Sequence, residues 1–490
     1  MRTALRAQLR SVRRELPDSP ALIWRGREIS YGELGGMVDE QRRRITEQTT
    51  GDEPLGLLAQ TSPEAIALML ACVEERRPFV LPSAELPGAV LETLFAKAGC
   101  RYRVTPDGGA QALPTLEPDP SASHVPLGPD TVFMLTTSGS TGVPKVVPIR
   151  ATALVRFTEW ARKRFAMGRE TGVFNYAPLN FDLCLLDLWT TLSVGGRVTL
   201  VERTSAGNAR HLLSLMTETR PNLVQAVPMF YRLIAQVWRD TGEQPLTSVR
   251  SVLWSGDSMP PSLLRTLATV FPSAHFYNVY GCTEINNAFV NELAPSALPS
   301  GQIPLGEALP GVRSLIVDGR GDLIDGPGKG ELWVSTPFQT SGYLAGEGGE
   351  RFGPHHMDED GPVYFRSGDL VRRHPNGNLT LEGRIDFQVK VRGVQVDTEA
   401  VERVLQDQEG VVEAGVVALP EERNGHRLCA SVRIQPEARI NGLVLRKLCA
   451  EHLPPAAVPS SFEVERSSLP RTSTGKLDRK VLKERWSSRV

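Results

Sequence analysis

The sequence predicts a mixed α/β and α+β chain: a large α/β part with parallel sheet, a smaller β-rich part, and a terminal α+β unit. Three patterns carry this prediction. Between about residues 130 and 320, short apolar runs (Val198–Val201, Leu223–Val227, Ser251–Trp254, Phe276–Tyr280) alternate with stretches of helical periodicity, as in parallel strands joined by crossover helices. Residues 312–345 and 362–394 are denser in β-branched residues and Gly/Asp turns, so a small, barrel-like antiparallel β part is expected there. From about 397, a helix (Glu399–Leu405), strands (Val411–Ala418, Ala430–Ile434) and a further helix (Val444–His452) form a compact terminal set. A chain of 490 residues exceeds what one ordinary core organises. The expected division is therefore a large domain over 1–385 and a small one over 386–490.

Bulk composition excludes several function classes. Lys+Arg 55 against Asp+Glu 56 leaves a net charge of −1, so neither nucleic acid nor an anionic membrane is an expected partner. The six cysteines are scattered without a C-x-x-C pair, which reads as reduced thiols and not as zinc ligands or a disulfide framework. The longest apolar run, Ile66 to Val73, is too short to span a bilayer. The expected location is cytoplasmic.

In chain order, Leu5, Leu9, Val12 and Leu16 recur at helical spacing within an Arg-rich start, which reads as an amphipathic first helix and not as a signal peptide. Ser30 precedes a helix start as a cap, in Ile29-Ser30-Tyr31-Gly32-Glu33-Leu34. Residues 104–130, rich in Pro, Gly, Ser and Asp, read as a surface connection. It leads to a buried strand, Thr131-Val132-Phe133-Met134-Leu135, and then to Thr136-Thr137-Ser138-Gly139-Ser140-Thr141-Gly142-Val143-Pro144-Lys145. Glycines let successive N–H groups converge on an anion, and the hydroxyls and the lysine add donors. This is the chemistry of a phosphate-gripping loop, although it is not the G-x-x-x-x-G-K-[ST] pattern. Leu154, Phe157, Ala161 and Phe165 then mark an amphipathic helix.

Four later stretches complete a constellation. They are Val279-Tyr280-Gly281-Cys282-Thr283-Glu284, Phe365-Arg366-Ser367-Gly368-Asp369-Leu370, the run Gly383-Arg384-Ile385-Asp386-Phe387-Gln388 through Gly393, and Thr474-Gly475-Lys476-Leu477-Asp478-Arg479. With the loop at 138–145, these resemble, in order and spacing, the signatures of the adenylate-forming superfamily, the acyl- and aminoacyl-activating enzymes that include nonribosomal peptide synthetase adenylation domains. The resemblance runs over nearly the whole chain. It implies that Ser138, Gly139, Ser140, Thr141, Gly142 and Lys145 hold ATP phosphates, with Thr141 and Lys145 also acting in catalysis. It further implies that Tyr280 and Thr283 contact the nucleotide, that Glu284 binds Mg2+, and that Asp369 and Arg384 hold the nucleotide, Asp369 through the ribose hydroxyls. Asp386 becomes the hinge of a mobile small domain, and Lys476 the catalytic lysine that reaches substrate and phosphate. Cys282 stands where proline is usual. His355-His356-Met357-Asp358-Glu359-Asp360-Gly361 also matches the catalytic string of condensation domains, but the surrounding chain leaves no room for such a domain, and the match is read as coincidence.

Substrate class turns on Phe181-Asp182-Leu183-Cys184-Leu185-Leu186-Asp187, which resembles the pocket motif of amino acid adenylation domains. There the acidic residue in Asp182's place binds the α-ammonium, and a dehydrated ammonium needs an anionic partner. The alternative reading of Asp182 is a helix N-cap, with Asp187 as the second candidate carboxylate. By the same resemblance, positional carry-over makes the pocket walls Leu183, Leu186, Ala226, Leu253, Ser255, Val279, Asn287 and Ala288. No second charge lies among them, so a small to medium neutral amino acid is expected: alanine, serine or glycine, with proline and a β-amino acid still open. The implied reaction is ATP- and Mg2+-dependent formation of aminoacyl-AMP, followed by transfer to the phosphopantetheine thiol of a carrier protein supplied in trans, in natural-product biosynthesis. The alternative is a ligase passing a simple carboxylic acid to coenzyme A.

Overall fold

The structure, a computed structural model of the chain, describes residues 2–107, 109–113, 127–137, 144–344, 349–357, 360–391, 394–421, 425–453, 455–472 and 476–489. The chain divides into two compact units. The first comprises Met1–Leu315, Trp333–Arg366 and Asn378–Thr380, the second Ile316–Leu332, Ser367–Gly377 and Leu381–Val490.

The first unit is built on two sheets. One has nine strands, in the order Glu307–Ala308, Asn286–Leu293, His275–Cys282, Ser251–Trp254, Leu223–Ala226, Gly172–Asn175, Arg197–Leu200, Pro20–Trp24, Arg27–Ser30. The inner strands from His275–Cys282 to Pro20–Trp24 run parallel, and the pairs at both edges are antiparallel. Side chains alternate along each strand. Phe174, Val224, Val252, Trp254 and Phe276 thus pack into one core with Leu212, Phe230, Ile234 and Leu264 from the helices Ala209–Thr219, Pro228–Thr241 and Pro261–Val270. On the opposite face Asn175, Gln225, Leu253 and Tyr277 lie in register across four adjacent strands. A six-residue π-helix, Leu185–Thr190, contacts the strand carrying Asn175 and is buried throughout.

The second sheet has six strands, parallel in the middle, with an antiparallel edge formed by Thr131–Thr137 and Lys145–Arg150. The loop joining those two carries Ser138, Gly139, Ser140, Thr141 and Gly142, all of which lie outside the described residues. The predicted first helix is Arg2–Glu15, with Leu5 and Leu9 buried. Ser30 caps Tyr31–Gln48 in a full capping box: its side chain accepts from the Glu33 N–H, and the Glu33 carboxylate accepts from the Ser30 N–H.

A five-stranded sheet follows from the stretch expected to be β-rich: Arg313–Val317, Gly328–Ser335, Tyr364–Arg373 and Phe352–Gly353 in order, with Leu379–Arg384 added on Tyr364–Arg373. The strand Gln388–Val391 joins a different sheet, pairing with Val394–Asp397 and with Gly425–Ile434. Gly425–Ile434 in turn pairs with Val411–Glu421 and, in parallel, with Ser461–Glu465. Helices Thr398–Gln406 and Gly442–His452 close this α+β core through Val401, Leu405, Leu445 and Cys449. All six cysteines are free. Among the described residues no helix is long and apolar enough to cross a membrane.

Candidate active site

Ligands of open parallel sheets gather beyond the carboxyl ends of the strands, and there the nine-stranded sheet delivers its motif residues. The segment after Gly172–Asn175 carries Asp182 and Leu183; Leu223–Ala226 ends at Ala226; Ser255 follows Ser251–Trp254. Tyr280 lies near the end of His275–Cys282, and Thr283 and Glu284 occupy the turn that follows. The Thr283 hydroxyl donates to Asp182 Oδ2 at 3.2 Å, across 101 residues of sequence. This joins the motif expected at the nucleotide to the acid expected at the substrate. Asp182 is half-buried, and the adjoining π-helix Leu185–Thr190 has Cys184 as its N-cap, without a side-chain cap.

Glu284 and Lys145 meet at one aromatic residue. The Tyr343 hydroxyl donates to Glu284 Oε1 at 2.6 Å, and Lys145 Nζ stands 4.6 Å from the centre of the same ring, within cation–π range. Glu284 is buried. Burial, then the neighbouring Glu284 carboxylate, push the Tyr343 hydroxyl far above its ordinary range, so Tyr343 acts as a fixed donor. Tyr280 is half-buried, its ring edge-on to Phe289 at 6.0 Å.

In the second unit, Arg384 Nη1 lies 2.5 Å from Asp369 Oδ1. Gly368, at φ +74, precedes Asp369, and the Gly368 N–H donates to Glu331 at 3.0 Å. The Ser367 hydroxyl accepts from the Asp369 N–H at 3.0 Å and donates to the Leu332 carbonyl at 2.6 Å. Gly383 has φ +135, and a β-carbon there would strike the Asp397 carboxylate, which caps Thr398–Gln406. Asp386 sits in a short 3-10 turn, Ile385–Phe387, and its side chain is outside what the structure describes. Lys476 is exposed; its carbonyl accepts from the Thr472 N–H at 2.8 Å.

The expected pocket walls divide by face. Leu253 and Val279 share the sheet face opposite the helical core, whereas Ala226 packs into that core beside Val224 and Trp254. Leu183, Leu186 and Ala288 are buried; Ser255 and Asn287 are half-buried. Asp187, the second candidate carboxylate, is fully buried, with Oδ2 accepting from Asn175 and Oδ1 from Gln225, each at 3.1 Å. Burial pushes its carboxyl well above the usual range, against the pull of those two amides.

Comparison with known proteins places this geometry. The AMP-binding enzyme signature matches residues 9–344. The chain belongs to the AMP-binding enzyme family. The C-terminal domain of the same family matches residues 400–476. The chain is similar to a D-alanine–D-alanyl carrier protein ligase of Bacillus licheniformis, 27% identical over 96% of this chain and 96% of that protein. A protein of the same name from Bacillus anthracis is 26% identical, also over 96% of each. A four-domain nonribosomal peptide synthetase bound to AMP and glycine superposes with TM-score 0.80 at 24% identity, over 97% of this chain and 36% of that one. An anthranilate CoA ligase in complex with anthranoyl-AMP gives 0.81 at 19% identity, over 99% and 98%. These two likenesses establish the adenylate-forming fold.

Within this AMP-binding enzyme, sequence reasoning passed over Tyr343, Asn175 and Gln225. Their roles arise from contacts far apart in the chain, and only the polarity of Asn175 and Gln225 inside apolar strands hinted at them. It also gave no reason for Gly281. The pairing of Tyr280 with Phe289 and of Gly281 with Asn287 leaves Ala288 as an extra residue, a β-bulge. A β-carbon on Gly281 would strike the Asn286 carbonyl oxygen and lie 2.7 Å from its carbon and 2.9 Å from Asn287 Cα. Backbone cannot yield as a side chain does, so Gly281→Ala is expected to cost about 1–3 kcal/mol. Urea denaturation reads the loss; an unchanged midpoint would show that the hairpin relaxes freely.

Proposed function

We propose that this chain activates a small neutral amino acid, alanine-like, as its aminoacyl-AMP, a mixed anhydride, and passes it to the thiol of a carrier protein. The observation that carries this reading is Asp182, a half-buried carboxylate beyond the strand ends, fixed by the Thr283 hydroxyl at 3.2 Å. A half-buried carboxylate beyond the strand ends suits a cationic group, which the ammonium of an amino acid supplies and a simple carboxylic acid lacks. The relatives matched over 96% of the chain are named for D-alanine and a carrier protein, which fits a small substrate and a thiol acceptor on a protein.

Magnesium fits the donors present. Glu284 is a buried carboxylate whose Oε1 is taken by Tyr343, while Oε2 has no hydrogen-bond partner among the described residues. No cluster of three metal-ligating side chains exists among the described residues, and Mg2+ on a nucleotide is commonly held by one or two carboxylates plus phosphates. When bound, the ion would screen the triphosphate. The protein's own part is positioning and charge. Lys145 and the loop at 138–142 would steady the phosphates, Tyr280 the adenine, and Asp369 with Arg384 the ribose end. Lys476 would balance charge where the substrate carboxylate attacks the α-phosphate and pyrophosphate leaves. No general base is required, because the nucleophile is already an anion. The proposed division is 1–385 and 386–490, with Asp386 as the pivot.

Amino-acid-dependent pyrophosphate exchange with D-alanine, L-alanine, glycine, serine, proline, β-alanine and propionate tests the reading. Exchange led by an alanine supports it; exchange led by propionate overturns it in favour of an acyl-CoA ligase. A second expectation concerns Tyr343→Phe, which removes the hydroxyl that fixes Glu284. Loss of such an outer partner typically costs about 10- to 100-fold in metal affinity, so the Mg2+ concentration for half-maximal exchange should rise by that order. A Mg2+ titration that coincides with wild type would separate Tyr343 from the metal site.

A further inference from the structure

Asp187 is a carboxyl group buried away from solvent. It is fully buried on a π-helix, a form that recurs at functional sites because it forces an irregular backbone. Its two oxygens are divided between side chains from neighbouring parallel strands. Asn175 and Gln225 are register partners, so both point to the same sheet face and reach the one carboxylate, each at 3.1 Å.

Each amide nitrogen carries two hydrogens, and the second is used on the substrate segment. Asn175 Nδ2 donates to the Ala177 carbonyl at 3.3 Å, and Gln225 Nε2 donates to the Leu183 carbonyl at 2.9 Å. Those two carbonyls lie on either side of Asp182. Asn175 Oδ1 is buried without a partner, so this amide is held only through its NH2 group. Asp187 thus fixes which way both amides face, and a turned amide would present oxygen to the carbonyl it now grips.

We propose that Asp187 is a positioning residue for substrate recognition: through Asn175 and Gln225 it clamps the segment 177–183 at both ends and thereby sets Asp182. This rests on the reading of Asp182 given above and adds the device that holds it. Ser, Ala or Gly at position 187 would leave a void, so the informative variant is Asp187→Asn, which keeps the shape but puts an N–H against one of the two donors. One amide must then turn, and one grip is lost. Gln225→Met removes the Leu183 grip from the other side, together with the donor to Asp187 Oδ1, while leaving the residue at 187 unchanged.

Both variants should raise the KM for the preferred amino acid by about tenfold or more, with kcat within about threefold and the KM for ATP unchanged, the split expected when only one ligand's binding geometry is disturbed. Discrimination between D- and L-alanine should fall with it. In the unliganded protein, hydrogen–deuterium exchange of residues 177–187 should accelerate while the helical core around Trp254 keeps its protection. That second readout needs no activity, so it still decides the clamp if wild type proves to use no amino acid. Folded variants whose exchange at 177–187 matches wild type overturn the proposal. So does a kinetic loss spread equally over ATP and amino acid, which would mark Asp187 as general scaffolding.

Discussion

Lys476→Ala is expected to abolish aminoacyl-adenylate formation while sparing transfer from supplied adenylate to the carrier thiol. The lysine is exposed and has no ion pair among the described residues, yet its backbone is pinned. Thr472 donates to the Lys476 carbonyl through its N–H at 2.8 Å and its hydroxyl at 3.3 Å, and Arg471 and Leu477 form a bridge around it. A fixed base with a free ammonium suits a charge that engages only one conformation. Removing a single stabilising donor of this kind costs on the order of 10²–10³-fold in rate. Single-turnover measurements of the two half-reactions separate the steps, and equal losses in both would end the two-conformation assignment.

Asp182→Asn should fall almost as hard, but selectively. It keeps the shape and the oxygen that accepts from Thr283 while removing the charge that an ammonium requires. Breaking a buried charge pair typically costs on the order of 3–5 kcal/mol. Because Asp182 is only half-buried, the lower end applies, roughly 10²-fold in kcat/KM. The loss should fall on alanine and spare propionate, with ATP affinity unchanged. Pyrophosphate exchange by wild type and variant with both acids is the measurement. An unchanged ratio of alanine to propionate would mean that the ammonium lies elsewhere.

What the sequence made legible is local. Ser251–Trp254 was readable to the residue because a short apolar run between turn formers has few alternatives. Ser30 was legible as a helix cap because an N-cap serine is a local signal, whereas its reciprocal bond with Glu33 emerged only in the structure. The family-like motifs were visible because each is contiguous. The rest depended on register and burial. Leu185–Thr190 is an apolar run whose composition does not distinguish a π-helix from any other buried segment. Asp187 looked like a spare carboxylate because nothing near it in sequence reveals that Gln225, 38 residues on, is its partner. Its apolar surroundings were the available signal, since a buried acid must be matched by donors. Tyr343 was silent for the same reason, 59 residues from Glu284.

The bulge at Ala288 bears on how this hairpin can evolve. Strand side chains change face with every residue, and the extra residue there lets Asn286 and Asn287 stay in step with Cys282 and Gly281 while Phe289 to Leu293 face as the rest of the sheet demands. Replacing a side chain near it alters only the lining at that point. Deleting or adding one residue would turn half the hairpin inside out, sending Val290 toward water or swinging Glu284 off its tyrosine. Lineages descended from this chain can therefore vary this hairpin by spelling, but not by length, between positions 280 and 293.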